Sequence, residues 1–378
     1  MPENIYQQLA RHLDDLPGGF PKTESGVELR ILRRMFTPEE AEMALNLTLI
    51  FEEAKVVARR AQAPVEETAA VLEKMSQKGL IYRLQHKGKP PRYMAAQFVI
   101  GIWEMHVNNL DPGLIRDFNE YVPVLFNLQE WKKAPQLRTV PVEQSLDHKL
   151  EVFPFENAAD LVKENTKFLE APCICRKERR IMGEDCGKPE GNCLIMGAGV
   201  DIYQNAGIGR EISRAQALAL LEKADEAGLV LQPSFSKKIS NICCCCGCCC
   251  QVLKNIKKHP HPSAQVSSPF MARLDPEPCR GCGVCVDRCQ MGALQMKDEK
   301  AVLDGTKCIG CGLCVSACPT GALRLQRKPA REQIRIPDKI TTAAVQRLRI
   351  RGKLGAGRVS SLLLRSKKDR LLSRGKQV

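Results

Sequence analysis

The chain has no run approaching the roughly 18 consecutive apolar residues that a membrane-spanning helix needs. Its opening residues also lack a basic start followed by an apolar stretch. The first absence excludes such a helix, and the second sets the expectation of a cytoplasmic protein. In that reducing compartment cysteines serve as metal ligands rather than as disulfide partners. Also missing are a Rossmann glycine fingerprint, a Walker phosphate loop and any general-base constellation. Those gaps leave no residue to which a catalytic role can be assigned.

What the chain does have is cysteine, 19 of 378 residues. At roughly 100 to 200 residues per domain, the length predicts two or three domains. A composition of 44% apolar and 26% charged residues is that of a folded globular protein. The net charge of +14 suggests a polyanion ligand until it is located along the sequence. From Arg327 onward 16 Lys and Arg face 3 acids, whereas the preceding 326 residues carry 41 against 40. The basicity belongs to a tail.

Residues 37–94 read as a helical unit ending in a hairpin. Thr37, Pro38 and Glu40 form a capping-box start. Helices follow over 52–60 and 65–78, the latter stopped by Gly79, and strands over 80–84 and 92–95 flank the turn-forming segment 86–91. Three helices and a hairpin resemble a winged helix-turn-helix. Two apolar stretches, 99–107 and 114–128, predict helices that pack on it. The middle of the chain predicts strands at 138–143 and 168–174 and a helix over 213–227 stopped by Gly228. The expected architecture is α+β and multidomain: a winged-helix-like unit over 1–132, a cysteine-rich α+β region over 133–268, a cluster-binding module over 269–326 and a basic tail over 327–378.

Cys279, Cys282, Cys285 and Cys289 follow Cys-x2-Cys-x2-Cys-x3-Cys, and Cys308, Cys311, Cys314 and Cys318 repeat it, with Pro319 after the last. Two-residue spacings let a tight loop aim three thiolates at one cubane, while the fourth cysteine, expected to start a helix, faces the other cluster. One cluster is then held by Cys279, Cys282, Cys285 and Cys318, the other by Cys308, Cys311, Cys314 and Cys289. Glycines 281, 283, 310 and 312 let the backbone wrap the clusters. A strand, turn and strand over 293–304, and another strand over 322–325, supply an apolar cover. Zinc sites pair cysteines without the third and fourth at these offsets. Full thiolate ligation leaves no iron open to substrate, which points to electron carriage.

These motifs resemble two-cluster bacterial ferredoxins over about residues 274–326. The resemblance implies two [4Fe-4S] clusters and one-electron transfer with a partner redox protein or enzyme. Gln290 stands where that family usually has proline.

Eleven cysteines remain. Cys173, Cys175, Cys186 and Cys193 lie near Arg176, Lys177, Arg179 and Arg180, whose charge is expected to lower thiol pKa values. The run from Cys243 to Cys250 places seven cysteines around Gly247. If it is extended, Cys243 and Cys245 share one face while Cys244 and Cys246 share the other. A further iron–sulfur cluster, a zinc site or a redox-active thiol group all remain open here. Together the N-terminal unit, the ICRKERR segment at 174–180, the run and the terminal module resemble uncharacterised iron–sulfur proteins of anaerobic bacteria.

Winged unit and basic tail together raise a second reading, a redox-sensing regulator that binds DNA. Against it, the 65–78 helix carries Glu66, Glu67 and Glu73 where a reading helix presents Arg, Lys, Asn or Gln. The wing, with His86, Lys87, Lys89 and Arg92, suits phosphate better. The tail is read as solvated, with a helix near its end, and its interleaved apolar residues also suit an acidic partner or an anionic membrane surface.

Overall fold

The computed structural model describes residues 4–354 and 358–374. Among them no helix is long and apolar enough to cross a membrane. The chain forms two units, one comprising Met1–Leu125, Ala198–Gly209 and Ala344–Val378, the other Phe126–Gly197 and Arg210–Ala343. Helix and strand are mixed throughout, giving an α+β protein.

In the first unit the Pro38–Ala44 helix starts as expected, with the Thr37 side chain and the Glu40 carboxylate capping each other's backbone N–H. The 52–60 helix differs from expectation at its start: Glu52–Glu53 form strand β1, opposite Tyr93 and Arg92, and the helix is Ala54–Ala61. The Val65–Gln77 helix follows, then β2 (Ile81–Leu84) and β3 (Arg92–Ala95), in an antiparallel sheet of order β1-β3-β2. The expected 99–107 helix shrinks to Trp103–Met105, because Val99, Ile100 and Gly101 take non-helical backbone angles. Burial wins over periodicity there: Phe98, Ile102 and Trp103 all enter the core, and Trp103 stacks on Phe118 with centroids 3.7 Å apart. The last apolar stretch becomes the Pro112–Leu125 helix, which closes this part of the unit, and a separate Leu128–Lys133 helix, capped by Asn127, that belongs to the second unit.

The segment read as a solvated tail is helical over Ile340–Ile350 and Arg358–Arg374; its residues 355–357 and 375–378 lie outside the described ones. The Arg358–Arg374 helix packs on Ala54–Ala61 through a buried ionic group. The Arg60 guanidinium, with its side chain fully buried, pairs at 2.9 Å with both Glu52 and Asp369, and the Ser366 hydroxyl donates to Glu52 at 2.7 Å.

The second unit is built on a five-stranded antiparallel sheet: β4 (Phe168–Ala171), β5 (Cys193–Met196), β6 (Arg210–Ile212), β7 (Val230–Pro233) and β8 (Asn241–Cys245), in the order β6-β4-β5-β8-β7. The Arg214–Glu226 helix, capped by Ser213 and Gln216, covers it with Ala217, Leu220, Leu221 and Ala224. The 168–174 strand stops early because Pro172 has no N–H to donate, and Ile174–Ile181 is helical. Residues 138–142 are extended without forming a ladder, and Glu143 already opens the 3-10 turn Glu143–Ser145. Their N–H groups divide between partners: Arg138 and Val140 bond Pro233 and Leu231, Thr139 bonds Ser267, and Val142 bonds the Cys311 carbonyl at 3.1 Å. The paired-motif segment adds two antiparallel pairs, β9 (Phe270–Leu274) with β12 (Leu323–Arg327), and the hairpin of β10 (Leu294–Lys297) with β11 (Lys300–Leu303). The β10–β11 turn has Asp298 and Glu299 both at positive φ, as a tight two-residue hairpin requires. Sequence reading found β10, β11 and β12 but not β9.

Candidate metal centres

Each motif loop runs into a short helix, Val284–Arg288 or Leu313–Ser316, so its third cysteine lies in the first turn. The fourth cysteine follows the helix rather than starting one: Cys289 is the C-cap of the first, and Cys318 comes just after the second. That placement carries each fourth thiol away from its own loop. One cavity is lined by Cys279, Cys282, Cys285 and Cys318 with Leu274, Ala301 and Leu323. A second is lined by Cys308, Cys311, Cys314 and Cys289 with Ala272, Leu294 and Leu303.

The residues around these cavities fit an iron–sulfur cluster. Backbone N–H groups point at sulfur, from Ala293 to Cys289 at 3.2 Å and from Ala272 to Cys308 at 3.3 Å, the pattern that stabilises thiolates bound to iron. The Ala301 and Gly281 N–H groups hold the Cys279 thiol below its ordinary range. At Cys318 burial pushes upward but is outweighed by hydrogen bonds from Thr320, Leu323 and Ala322. The second set is drier: burial drives Cys311 up to about 12 and, with its thiol neighbours, Cys314 well above the ordinary range. Four such thiols ionise together only around cationic metal. The wrapping is tight as well. A Cβ on Gly281 would stand 1.9 Å from the Glu299 carbonyl oxygen, and one on Gly310 2.1 Å from that of Phe270.

Residues 278–322 match the family described as a 4Fe-4S dicluster domain. The match supports iron–sulfur binding by this segment. No curated protein and no solved structure matches the chain. The match covers the paired motifs and leaves the cysteines outside the dicluster domain to be understood from geometry.

Those eleven divide into three groups. Cys186, Cys246, Cys248 and Cys249 bring their sulfurs within 4.8 Å of one another. Six others form a string of neighbouring thiols in the order Cys173, Cys175, Cys250, Cys245, Cys243, Cys193. Strand pairing explains part of this string, since Cys193 of β5 sits opposite Cys243 of β8 and Cys245 follows on the same face. Asn241 and Gln232 point amide N–H groups at Cys243 and Cys250, at 3.5 and 3.9 Å. Cys244, on the opposite face, is buried in the apolar core; it does not join Cys246, because β8 ends at Cys245 and alternation stops there.

The expected lowering of thiol pKa values by the 176–180 cations does not occur at Cys173. Its hydrogen bond to Cys175, together with burial, pushes it well above the ordinary range despite Arg176. The other arginines are engaged elsewhere, Arg180 with Asp185 at 3.2 Å and Glu190 at 2.6 Å, and Arg179 with Glu184. Cys246 is the exception: burial raises it, but the Cys249 N–H, the Cys248 thiol and Arg176 bring it down to about 7.

Gln290 acquires a role that sequence reading missed. Its side-chain oxygen accepts from the Gly247 N–H at 2.8 Å, and a Cβ on Gly247 would lie 2.0 Å from the Gln290 carbonyl oxygen. The cysteine run therefore packs by its one glycine against the residue following Cys289. Proline at 290 would have no side-chain acceptor to offer. The departure from the ferredoxin pattern was the available signal.

Proposed function

We propose that the protein is an electron carrier in which two [4Fe-4S] clusters, ligated crosswise by Cys279, Cys282, Cys285 and Cys318 and by Cys308, Cys311, Cys314 and Cys289, relay single electrons to or from a partner redox enzyme. The observation that carries this reading is the convergence of three cysteines from one motif with the fourth of the other in each of two apolar cavities. Cys282 is exposed and Cys279 half-buried, whereas Cys308 and Cys314 are buried, so the first cluster is the natural point of exchange with a partner. A cytoplasmic location in an organism of anaerobic metabolism suits such clusters. Iron and sulfide analysis of anaerobically purified protein tests the reading: about eight irons with a [4Fe-4S] signal by EPR on reduction are expected. Stoichiometric zinc without sulfide in the dicluster domain would sink it, and iron beyond eight would place a further cluster among the other eleven cysteines.

A second reading, a redox-sensing regulator with a winged helix, draws support from the strand between helices, the β1-β3-β2 order and the exposed basic residues His86, Lys87 and Lys89 in the β2–β3 turn. Opposing it are the exposed Glu66 and Glu67 on the Val65–Gln77 helix and the engagement of Glu73 by Arg83 and the Tyr93 hydroxyl. A gel-shift screen showing no salt-dependent DNA binding in either cluster oxidation state retires this reading.

A further inference from the structure

We propose that Cys186, Cys246, Cys248 and Cys249 form a mononuclear zinc site that fixes the cysteine run beside the dicluster domain, distinct from the electron-carrying clusters. Spacing selects the ion. A tetrahedral zinc with bonds of about 2.3 Å separates its sulfurs by about 3.8 Å. Here all four sulfurs lie within 4.8 Å, and Cys248 and Cys249 are 3.7 Å apart. A cubane interposes four irons and four sulfides between its thiolates and needs them farther apart. The ligands come from two chain segments, one from the loop after the Ile174–Ile181 helix and three from the turn after β8, as in a closed structural site whose metal staples loops that would not otherwise hold.

Charge supplies a second, independent observation. The Arg176 side chain is 2% exposed; its Nη1 donates to the Cys244 carbonyl at 2.9 Å, and the guanidinium also lies against the Cys246 sulfur. The thiols that act on it electrostatically are those of Cys173, Cys246 and Cys245, of which Cys246 is one of the four. A buried guanidinium favours an anionic group beside it, because an unpaired buried charge is costly. One zinc ion with four thiolates carries two negative charges and supplies the counter-charge. The balance is simple: four protons leave the thiols as the ion binds, and no electron moves.

The site's position gives it a consequence. Gly247 sits between two of the ligands and contacts Gln290, one residue after Cys289. With a hypothetical Gly247 Cβ only 3.3 Å from the Gln290 Cα and about 3.8 Å between successive Cα atoms, Cys248 and Cys289 are at most about 12 Å apart at Cα. A zinc staple here holds the run against the backbone that presents Cys289.

The test uses the full chain, produced in cells supplied with both iron and zinc and purified anaerobically. About one zinc per chain is expected beyond the iron, with a zinc-edge X-ray absorption shell of four sulfurs at about 2.3 Å. Cys186→Ser and Cys248→Ser should each weaken zinc retention against a chelator by at least about tenfold and leave the EPR signal of the dicluster domain in place. The wild-type spectrum keeps the proposal testable if either variant fails to fold. A wild-type protein without zinc, a shell containing nitrogen or oxygen, or a Cys186→Ser variant that loses about four irons instead of zinc would overturn it.

Discussion

The proposed crossed ligation makes a prediction that no arrangement of two independent four-cysteine loops shares. Cys279 and Cys318 line one cavity although they belong to different motifs, whereas Cys279 and Cys289 belong to one motif and line different cavities. The double variant Cys279→Ala/Cys318→Ala removes two thiolates from one cluster, so about four of eight irons should be lost and one [4Fe-4S] cluster should remain intact. The second substitution adds little damage to the first, as expected for groups acting on one site. Cys279→Ala/Cys289→Ala instead takes one thiolate from each cluster, and no intact cubane should survive. Mössbauer spectroscopy of iron-57-labelled, anaerobically reconstituted protein counts intact cubanes directly, and spin quantitation after reduction provides a second count. The opposite pattern, an intact cluster in the same-motif double variant and none in the cross-motif one, would refute the reasoning.

Two further predictions concern the first unit. Arg60→Met strands the Glu52 carboxylate, whose side chain is as fully buried as that of Arg60, and should cost about 3–5 kcal/mol; urea unfolding followed by Trp103 fluorescence in a Trp131→Phe background measures it, and an unchanged midpoint refutes the buried pairing. His106, 5% exposed, is held by burial at a pKa of about 4 against 6.5 when unfolded. As pH falls through 6.5 the unfolded chain takes up a proton that the folded one refuses, so stability should drop by about 3 kcal/mol between pH 7 and pH 4. The same unfolding series in His106→Gln should lose that share of the acid sensitivity, and an identical profile would remove His106 as its cause.

Local features were legible where they depend on near neighbours in sequence. The Thr37 and Glu40 cap, the stop at Gly79, the β10–β11 hairpin and the loops around Cys279–Cys285 and Cys308–Cys314 all follow from residues within a few positions of one another. Reading failed where distant groups competed for the same backbone. Residues 99–107 look helical by periodicity, but Phe98, Ile102 and Trp103 are claimed by an aromatic core. Residues 138–143 look like a strand, yet their N–H groups are shared among β7, Ser267 and Cys311.

For function, the sequence by itself determined that thiolates at iron–sulfur spacing are present, because loop geometry around a cubane is set by two- and three-residue intervals. Only the tertiary structure decided which thiols meet. The eight of the dicluster domain gather in two crossed sets because their short helices carry each fourth cysteine away from its loop. The other eleven divide into four, six and one because β8 alternates faces, ends at Cys245 and turns at a glycine pressed against Gln290. Arg176 likewise reads as one cation among several in sequence; only the structure shows it buried, at 2% exposure.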